Sequence, residues 1–298
     1  MKDICCIGHI TLDKNVTPKQ TVYMPGGTSF YFSHAIKNLK NSSNYKLVTS
    51  LAKTEYKSVE DLRAEGIDVQ IFPSKKTLFF ENIYGENPNE RKQKVLAKAD
   101  PFNVDNLKEE DAKFFHLGTL TSEDFSLDVI KMLSKKGILS VDAQGYLREI
   151  KDEKVIAVDW ENKIEALKYI DILKVNEYEA EIITGYSDYK KAAKQLADWG
   201  VKEVLLTLGS LGSIIYADNV YYKIPAYPPK EVVDATGCGD TYMTGYLYMR
   251  NQGASFQEAG CFAAAISTAK LQNHGPFSGT EDEVWDIMNK SELKPEII

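Results

Sequence analysis

The chain has 298 residues, long enough for one large domain with a sizeable core, and its 43% hydrophobic and 27% charged residues set it apart from disordered and fibrous sequences. A net charge of −7, from 43 acidic and 36 basic residues, argues against general affinity for nucleic acid or anionic lipid and in favour of a small-molecule partner. Met1-Lys2-Asp3 leads straight into an apolar run too short for a signal peptide, and no run approaches the ~18 residues of a membrane helix, so the expected location is the cytoplasm.

Residues 4–10 form an apolar run ending near a glycine, the pattern of a buried first strand. Asp13 would then lie at that strand's carboxyl end, where ligands of open α/β sheets gather; it reads either as a group that recognises a hydroxyl or as a surface acid. Residues 21–29 read as a strand that breaks at Gly26-Gly27 and enters a helix patterned by Phe30, Phe32, Ala35, Ile36 and Leu39. The glycine pair either lets a ligand approach the backbone or makes an ordinary turn. A strand over 47–51 and a helix over 59–65 follow. Residues 77–84 and 90–99, with a polar turn over 85–89, read as a hairpin with one wet side. Its basic run Arg91-Lys92-Gln93-Lys94 reads as an edge strand kept soluble by charge.

From residue 113 strands and helices alternate. Strands are expected over 114–117, 138–142, 172–175 and 203–208, and helices over 127–133, 162–168, 177–184 and 189–199, which predicts a mostly parallel sheet covered on both faces. Residues 211–216 and 220–224 read as an antiparallel pair. Tyr242, Met243, Tyr246, Leu247 and Met249 mark a helix that stops near Gly253, and Ser255 with Glu258 has capping-box spacing before a helix over 259–269. His274, in the loop beyond, lies near a ligand or is structural. The four cysteines, Cys5, Cys6, Cys238 and Cys261, lack Cys-x-x-Cys spacing and read as reduced thiols.

The chemistry concentrates in Asp234-Ala235-Thr236-Gly237-Cys238-Gly239-Asp240, just before a helix. Two glycines one residue apart let consecutive N–H groups point into one volume at a helix N-terminus, which suits an anion. Asp240 is out of place in a plain phosphate site, but it fits an acceptor hydroxyl whose proton must leave as phosphate arrives. Taken alone, the loop could equally be a strand-to-helix turn with Asp240 as N-cap. A P-loop, the protein-kinase motifs and a dinucleotide fingerprint are all absent from the sequence.

Over essentially its whole length the chain resembles the ribokinase-like (PfkB) carbohydrate kinases. Residues 234–240 correspond to the family's D-T-x-G-A-G-D signature, and Gly26-Gly27, Asp142 with Arg148, Asn176-x-x-Glu179 and Thr207-Leu208-Gly209-Ser210-Leu211-Gly212 follow in the family's order. The resemblance implies a three-layer αβα sandwich with a mostly parallel central sheet and a small β-sheet lid. It also implies one domain over 1–298, with the lid inserted at about 11–25 and 73–102.

The implied activity is ATP-dependent phosphoryl transfer to a hydroxyl of a sugar or polyol; a nucleoside or inositol kinase, or a non-catalytic sugar-binding regulator, stays open. Asp240 would be the general base and the amides of Gly237, Cys238 and Gly239 the anion hole. Asp13, Gly26, Gly27, Tyr31 and Arg148 would face the substrate. Thr207, Gly209, Gly212 and Asn273 would shape the nucleotide site, while Asn176 and Glu179 would hold Mg²⁺–ATP, Glu179 through water. Asp234, Thr236, Asn273 and Gly275 match the positions that surround a monovalent cation such as K⁺ in several members. ATP is the default donor, with ADP open, and the resemblance admits a homodimer through the lid. Two departures stand out: Tyr31 where an asparagine often touches substrate, which disfavours ribose, and Cys238 in place of alanine.

Overall fold

The computed structural model describes residues 1–40, 42, 44–84 and 91–298. The first strand, β1 (Lys2–Gly8), sends Ile4 and Cys6 into one buried layer and Cys5 and Ile7 into the other. Side chains alternate along a strand, so a strand buried on both faces must be apolar throughout. The same alternation turns the thiols of Cys5 and Cys6 apart, and all four cysteines are free.

The chain then leaves and rejoins the main sheet three times. β2 (Thr11–Val16) and β3 (Thr21–Gly26) form the first excursion, followed by α1 (Thr28–Lys37), β4 (Tyr45–Leu51), α2 (Tyr56–Ala64) and β5 (Asp68–Pro73). β6 (Phe79–Tyr84) and β7 (Arg91–Ala97) form the second, before α3 (Val104–Leu107), β8 (Ala112–Gly118), α4 (Leu127–Leu133) and β9 (Ile138–Asp142). β10 (Arg148–Lys151) and β11 (Lys154–Ala157) form the third. After these come α5 (Lys163–Ala166), β12 (Ile172–Asn176), α6 (Glu177–Thr184), α7 (Tyr189–Asp198), β13 (Glu203–Thr207), β14 (Ser213–Ala217) and β15 (Val220–Ile224). The chain closes with α8 (Cys238–Asn251), α9 (Phe256–Leu271), α10 (Glu281–Lys290) and β16 (Glu296–Ile297).

The main sheet has ten strands in the order β16-β15-β14-β13-β12-β9-β8-β1-β4-β5, parallel from β13 to β5 and antiparallel from β13 to β16. Helices cover both faces, as the alternating pattern predicts. Residues of α1, α2, α8, α9 and α10, among them Ile36, Val59, Tyr246, Phe262 and Val284, form the core on one side. Val129, Ile183 and Leu196 of α4, α6 and α7 belong to the core on the other. Burying each such side chain stabilises the fold by roughly 1.5–3 kcal/mol. The capping box expected at Ser255 and Glu258 is present and fixes the start of α9.

The three excursions join in a second sheet of six strands, ordered β10-β11-β7-β6-β2-β3. Three expectations need correction here. Asp13 lies within β2, on the smaller sheet, paired with Met24 and Phe80, and not at the end of β1. The basic run 91–94 belongs to β7, which is flanked by β6 and β11, so the edges of the sheet are β10 and β3. The sheet also takes in β10 and β11, beyond the two stretches assigned to the lid. The turn expected over 85–89 lies outside the described residues. Leu78, Phe80, Val95 and Leu120 form a small apolar cluster under this sheet, and Asn15, Asn82 and Gln93 are linked by side-chain hydrogen bonds of 3.0 and 2.9 Å.

Candidate active site

A cavity of about 400 Å³ opens between the smaller sheet and the carboxyl ends of β9, β12 and β13. Asp13, Phe80, Asn82 and Gln93 line it from the smaller sheet, and Asp142, Asn176 and Thr207 line it from the strand ends. The first turn of α8 supplies Gly237, Gly239 and Asp240. A second cavity of about 560 Å³, beside the stacked rings of Tyr146 and Trp160, contains none of the predicted site residues.

The glycine loop has the geometry its sequence requires. Gly237 adopts φ 75°, in the left-handed region, and caps α8; an added Cβ there would stand 2.2 Å from the ring of Tyr31. Thr241 N–H makes the first bond back, 2.9 Å to Gly237 O, so the amides of Gly239 and Asp240 belong to the turn that has no intrahelical acceptor. The Cys238 amide does not join them, because it donates to Ala235 O at 3.2 Å. The Cys238 thiol faces Ser267 O at 3.8 Å, and burial pushes its pKa up to about 11. An anion bound at this turn would therefore meet the amides of Gly239 and Asp240, and not that of Cys238.

Asp240 sits where its surroundings disfavour its charge. Burial raises its pKa, the nearby Asp142 carboxylate raises it further, and Lys174, the Thr28 hydroxyl and Arg148 offset only part of this, leaving it at about 6. Lys174, on β12, is buried and bonds Asp142 Oδ2 at 3.0 Å; a Cβ on Gly239 would stand 3.2 Å from its Nζ. Burial disfavours its charge, but Asp142, Glu179 and Asp240 more than compensate, so Lys174 stays protonated. Asp142, Lys174 and Asp240 thus alternate in sign beside the first turn of α8.

Of the predicted residues, Asp13, Gly27, Tyr31, Arg148, Asn176, Thr207, Gly209, Thr236, Gly237, Gly239 and Asp240 line the one cavity. Gly26 does not line it, but its missing side chain leaves room for Asp13, whose Oδ2 would be 2.5 Å from a Cβ there. Gly27, at φ 88°, caps α1 and packs against His9 O. Asn176 and Glu179 cap each other at the start of α6 through two 2.8 Å bonds, with Glu179 buried and its pKa raised chiefly by burial. Gly212, at φ 93°, serves a turn, since a Cβ there would fall 2.1 Å from Ile224 O.

Asn273 is exposed, and its side-chain amide donates to Ala269 O, so it stands away from the cavity wall. His274 is exposed beside it. Sequence reading missed Lys174, Thr28, Asn82 and Gln93, of which only Lys174 left a signal: a lone cation inside the apolar run of β12.

The residues assigned to a monovalent cation hold something else. Lys270, fully buried on α9, bonds Asp234 O at 2.6 Å and Asp234 Oδ2 at 3.2 Å. Thr236 N–H and Gly275 N–H both donate to the same carboxylate, at 2.9 and 3.2 Å. Burial raises the Asp234 pKa, but these amides and the ammonium outweigh it and hold the carboxyl below its ordinary range. This donor set does not fit an added cation. Among the described residues no group of three or more His, Cys, Asp or Glu side chains could hold a metal.

Comparison with known proteins places these features in context. The pfkB family carbohydrate kinase model matches residues 1–283. A cytidine kinase of Thermococcus kodakarensis is 30% identical over 289 residues, spanning 94% of this chain and 100% of that protein. A pyrophosphate-dependent kinase of the ribokinase family, solved with a pyrophosphate analogue and myo-inositol, superposes with a TM-score of 0.83 at 29% identity over 95% of this chain and 99% of its own. An Arabidopsis thaliana ribokinase complexed with ribose and ATP shares the fold, with a TM-score of 0.78 at 21% identity over 97% and 99% of the two chains.

Proposed function

Because the chain belongs to the pfkB family of carbohydrate kinases, we propose that it transfers a phosphoryl group from ATP to a hydroxyl of a sugar or polyol, with Asp240 as general base. The observation that carries this reading is the Asp240 carboxylate, held in the cavity on the first turn of α8 with a pKa of about 6. That value leaves it ionised at neutral pH yet close enough to take a proton efficiently.

The acceptor lies between the smaller sheet and Asp240, with Asp13, Asn82, Gln93 and Arg148 lining the side of its hydroxyls and Phe80 and Leu120 that of its apolar face. Asp240 takes the attacking hydroxyl's proton as the new O–P bond forms, and the bond from the γ-phosphorus to the oxygen of ADP breaks. The amides of the α8 turn and the Lys174 ammonium meet the negative charge that spreads over the transferring group. Asn176, at the head of α6, would face the donor phosphates, whose charge Mg²⁺ would help to neutralise when bound. The smaller sheet excludes water, which would otherwise take the phosphoryl group.

A second reading of the donor, pyrophosphate, draws on the likeness to the pyrophosphate-dependent kinase. The acceptor classes that follow from the relatives are a ring polyol and a nucleoside. The test is a coupled assay of the purified protein with Mg²⁺ and either ATP or pyrophosphate, across pentoses, hexoses, inositols and nucleosides. Turnover of one acceptor class that Asp240→Asn abolishes is the expected result. Binding of an acceptor, seen as a raised melting temperature, without turnover from either donor would move the reading to a non-catalytic ligand-binding protein.

A further inference from the structure

We propose that Lys270 is the built-in cation of the anion loop, so that phosphoryl transfer by this chain needs no monovalent metal ion. Lys270 is one of only two charged residues in α9, the other being Glu258 in its first turn, and it is fully buried. A lysine in that setting is disfavoured unless its charge is matched and its donors are used. Both conditions are met by one residue: Nζ bonds the Asp234 carbonyl at 2.6 Å and the Asp234 carboxylate at 3.2 Å. The same ammonium stands 5.9 Å from the centroid of the Tyr31 ring, within the range of a cation–π contact.

These contacts converge on the catalytic turn from two directions. Through Asp234, Lys270 fixes the Thr236 amide, one residue before Gly237. Through Tyr31 it steadies the ring that packs against Gly237. An ammonium also adds a positive charge behind the amides that receive the phosphoryl group, which is the service a bound metal ion would give. Asp234 O and Oδ2, the oxygens a cation would seek, are already engaged. The amides of Thr236 and Gly275 donate to Asp234, and Asn273 donates to Ala269 O instead of turning inward. Lys270 is therefore a positioning residue, acting through Asp234 and Tyr31.

The kinetic part of the test rests on the kinase reading above; the melting part does not. Wild-type turnover is measured in potassium, sodium and choline chloride at matched ionic strength with Mg²⁺ constant, and the three rates are expected to agree. Lys270→Ala should lose activity by on the order of 100-fold in choline, the scale of losing one charge-stabilising group. It should recover much of that loss in potassium or ammonium chloride, whose ions fit the space vacated. Lys270→Met, which fills the space without charge, should lose as much and recover nothing. The melting temperature of Lys270→Ala should rise in potassium relative to choline while that of the wild type does not move, a comparison that needs no acceptor. A wild-type rate or melting temperature that climbs in potassium over choline would overturn the proposal even if no variant folds, and so would a folded Lys270→Ala that is fully active in choline.

Discussion

Lys174 Nζ stands 3.0 Å from Asp142 Oδ2 in the cavity wall, with the two side chains only 7% and 4% exposed. Lys174 also offsets part of the pKa shifts of Asp240 and Glu179, so one ammonium balances three acids. Lys174→Met should destabilise the protein by about 3–5 kcal/mol, because removing one partner leaves buried carboxylates uncompensated. Its kcat should fall on the order of 100-fold through loss of the cation beside Gly239. Adding Asp142→Asn should restore much of the melting temperature and none of the rate. Parallel recovery of both would show that Lys174 serves structure alone.

Asp240 sets two pH dependences with a common origin. As the proposed general base it would act in its ionised form, so kcat/KM should rise about tenfold per pH unit below about 6 and level off above it. For stability the sign is opposite. Its folded pKa, about 6, lies above the ordinary 3.8, so its contribution is full below pH 3.8 and lost as pH rises through 6. Asp240→Asn removes that ionisation. Its melting temperature should match the wild type near pH 4 and exceed it by a few degrees at pH 8, while its activity falls by on the order of 10²–10⁴-fold. Equal melting temperatures at both pH values would rule out a strained carboxylate at this position.

Much of this was readable from residue patterns, and the parts that were not share physical reasons. The parallel strands announce themselves because burial on both faces demands unbroken apolar runs, as in β1 and β13. The glycines of the α8 turn are equally legible, since φ 75° at Gly237 restricts the choice of residue. The hairpin of β10 and β11 is hidden because its strands are four residues each, of mixed polarity. Its turn runs through Asp152 and Glu153 at φ 49° and 63°, with no glycine to mark it. Lys174 and Lys270 look like stray charges in apolar segments until the register of β12 and the packing of α9 against the loop reveal their partners. Asn273 shows the converse: its position in a motif does not bring its side chain to the site.

Gly237 tests whether the loop's shape, and not only its charge, matters. Alanine at φ 75° costs about 1–2 kcal/mol in backbone strain. Its Cβ would also meet the Tyr31 ring at 2.2 Å, so either the ring or the turn must move. Gly237→Ala should therefore lose kcat by on the order of 100-fold with the fold intact, the scale of a displaced anion turn. If Gly237→Ala alone keeps wild-type kcat, the turn does not contact the transferring group.

His9 links the two sheets where β1 passes into β2, and its ion pair with Asp124 has its own pH window. Nε2 lies 3.5 Å from Asp124 Oδ1, Nδ1 lies 3.1 Å from Ser50 O, and the ring packs on Phe102. Burial pulls the His9 pKa down, but the Asp124 carboxylate and the Ser50 carbonyl more than reverse this and raise it above 6.5. Burial pushes Asp124 up, and His9, Thr121 and the Leu120 amide bring it below 3.8. The histidine's contribution is thus full below pH 6.5 and lost as pH rises through its folded value; the aspartate's is present above pH 3.8 and lost below it. Between the two, His9→Gln should cost about 3 kcal/mol, the low end for a broken buried pair, because Asp124 keeps its bonds from Leu120 and Thr121. Chemical denaturation at pH 5.5 and pH 9 checks this: the deficit of His9→Gln should shrink at the higher pH. A deficit that grows with pH would mean that His9 is neutral in the folded protein and that the contact with Asp124 is an ordinary hydrogen bond.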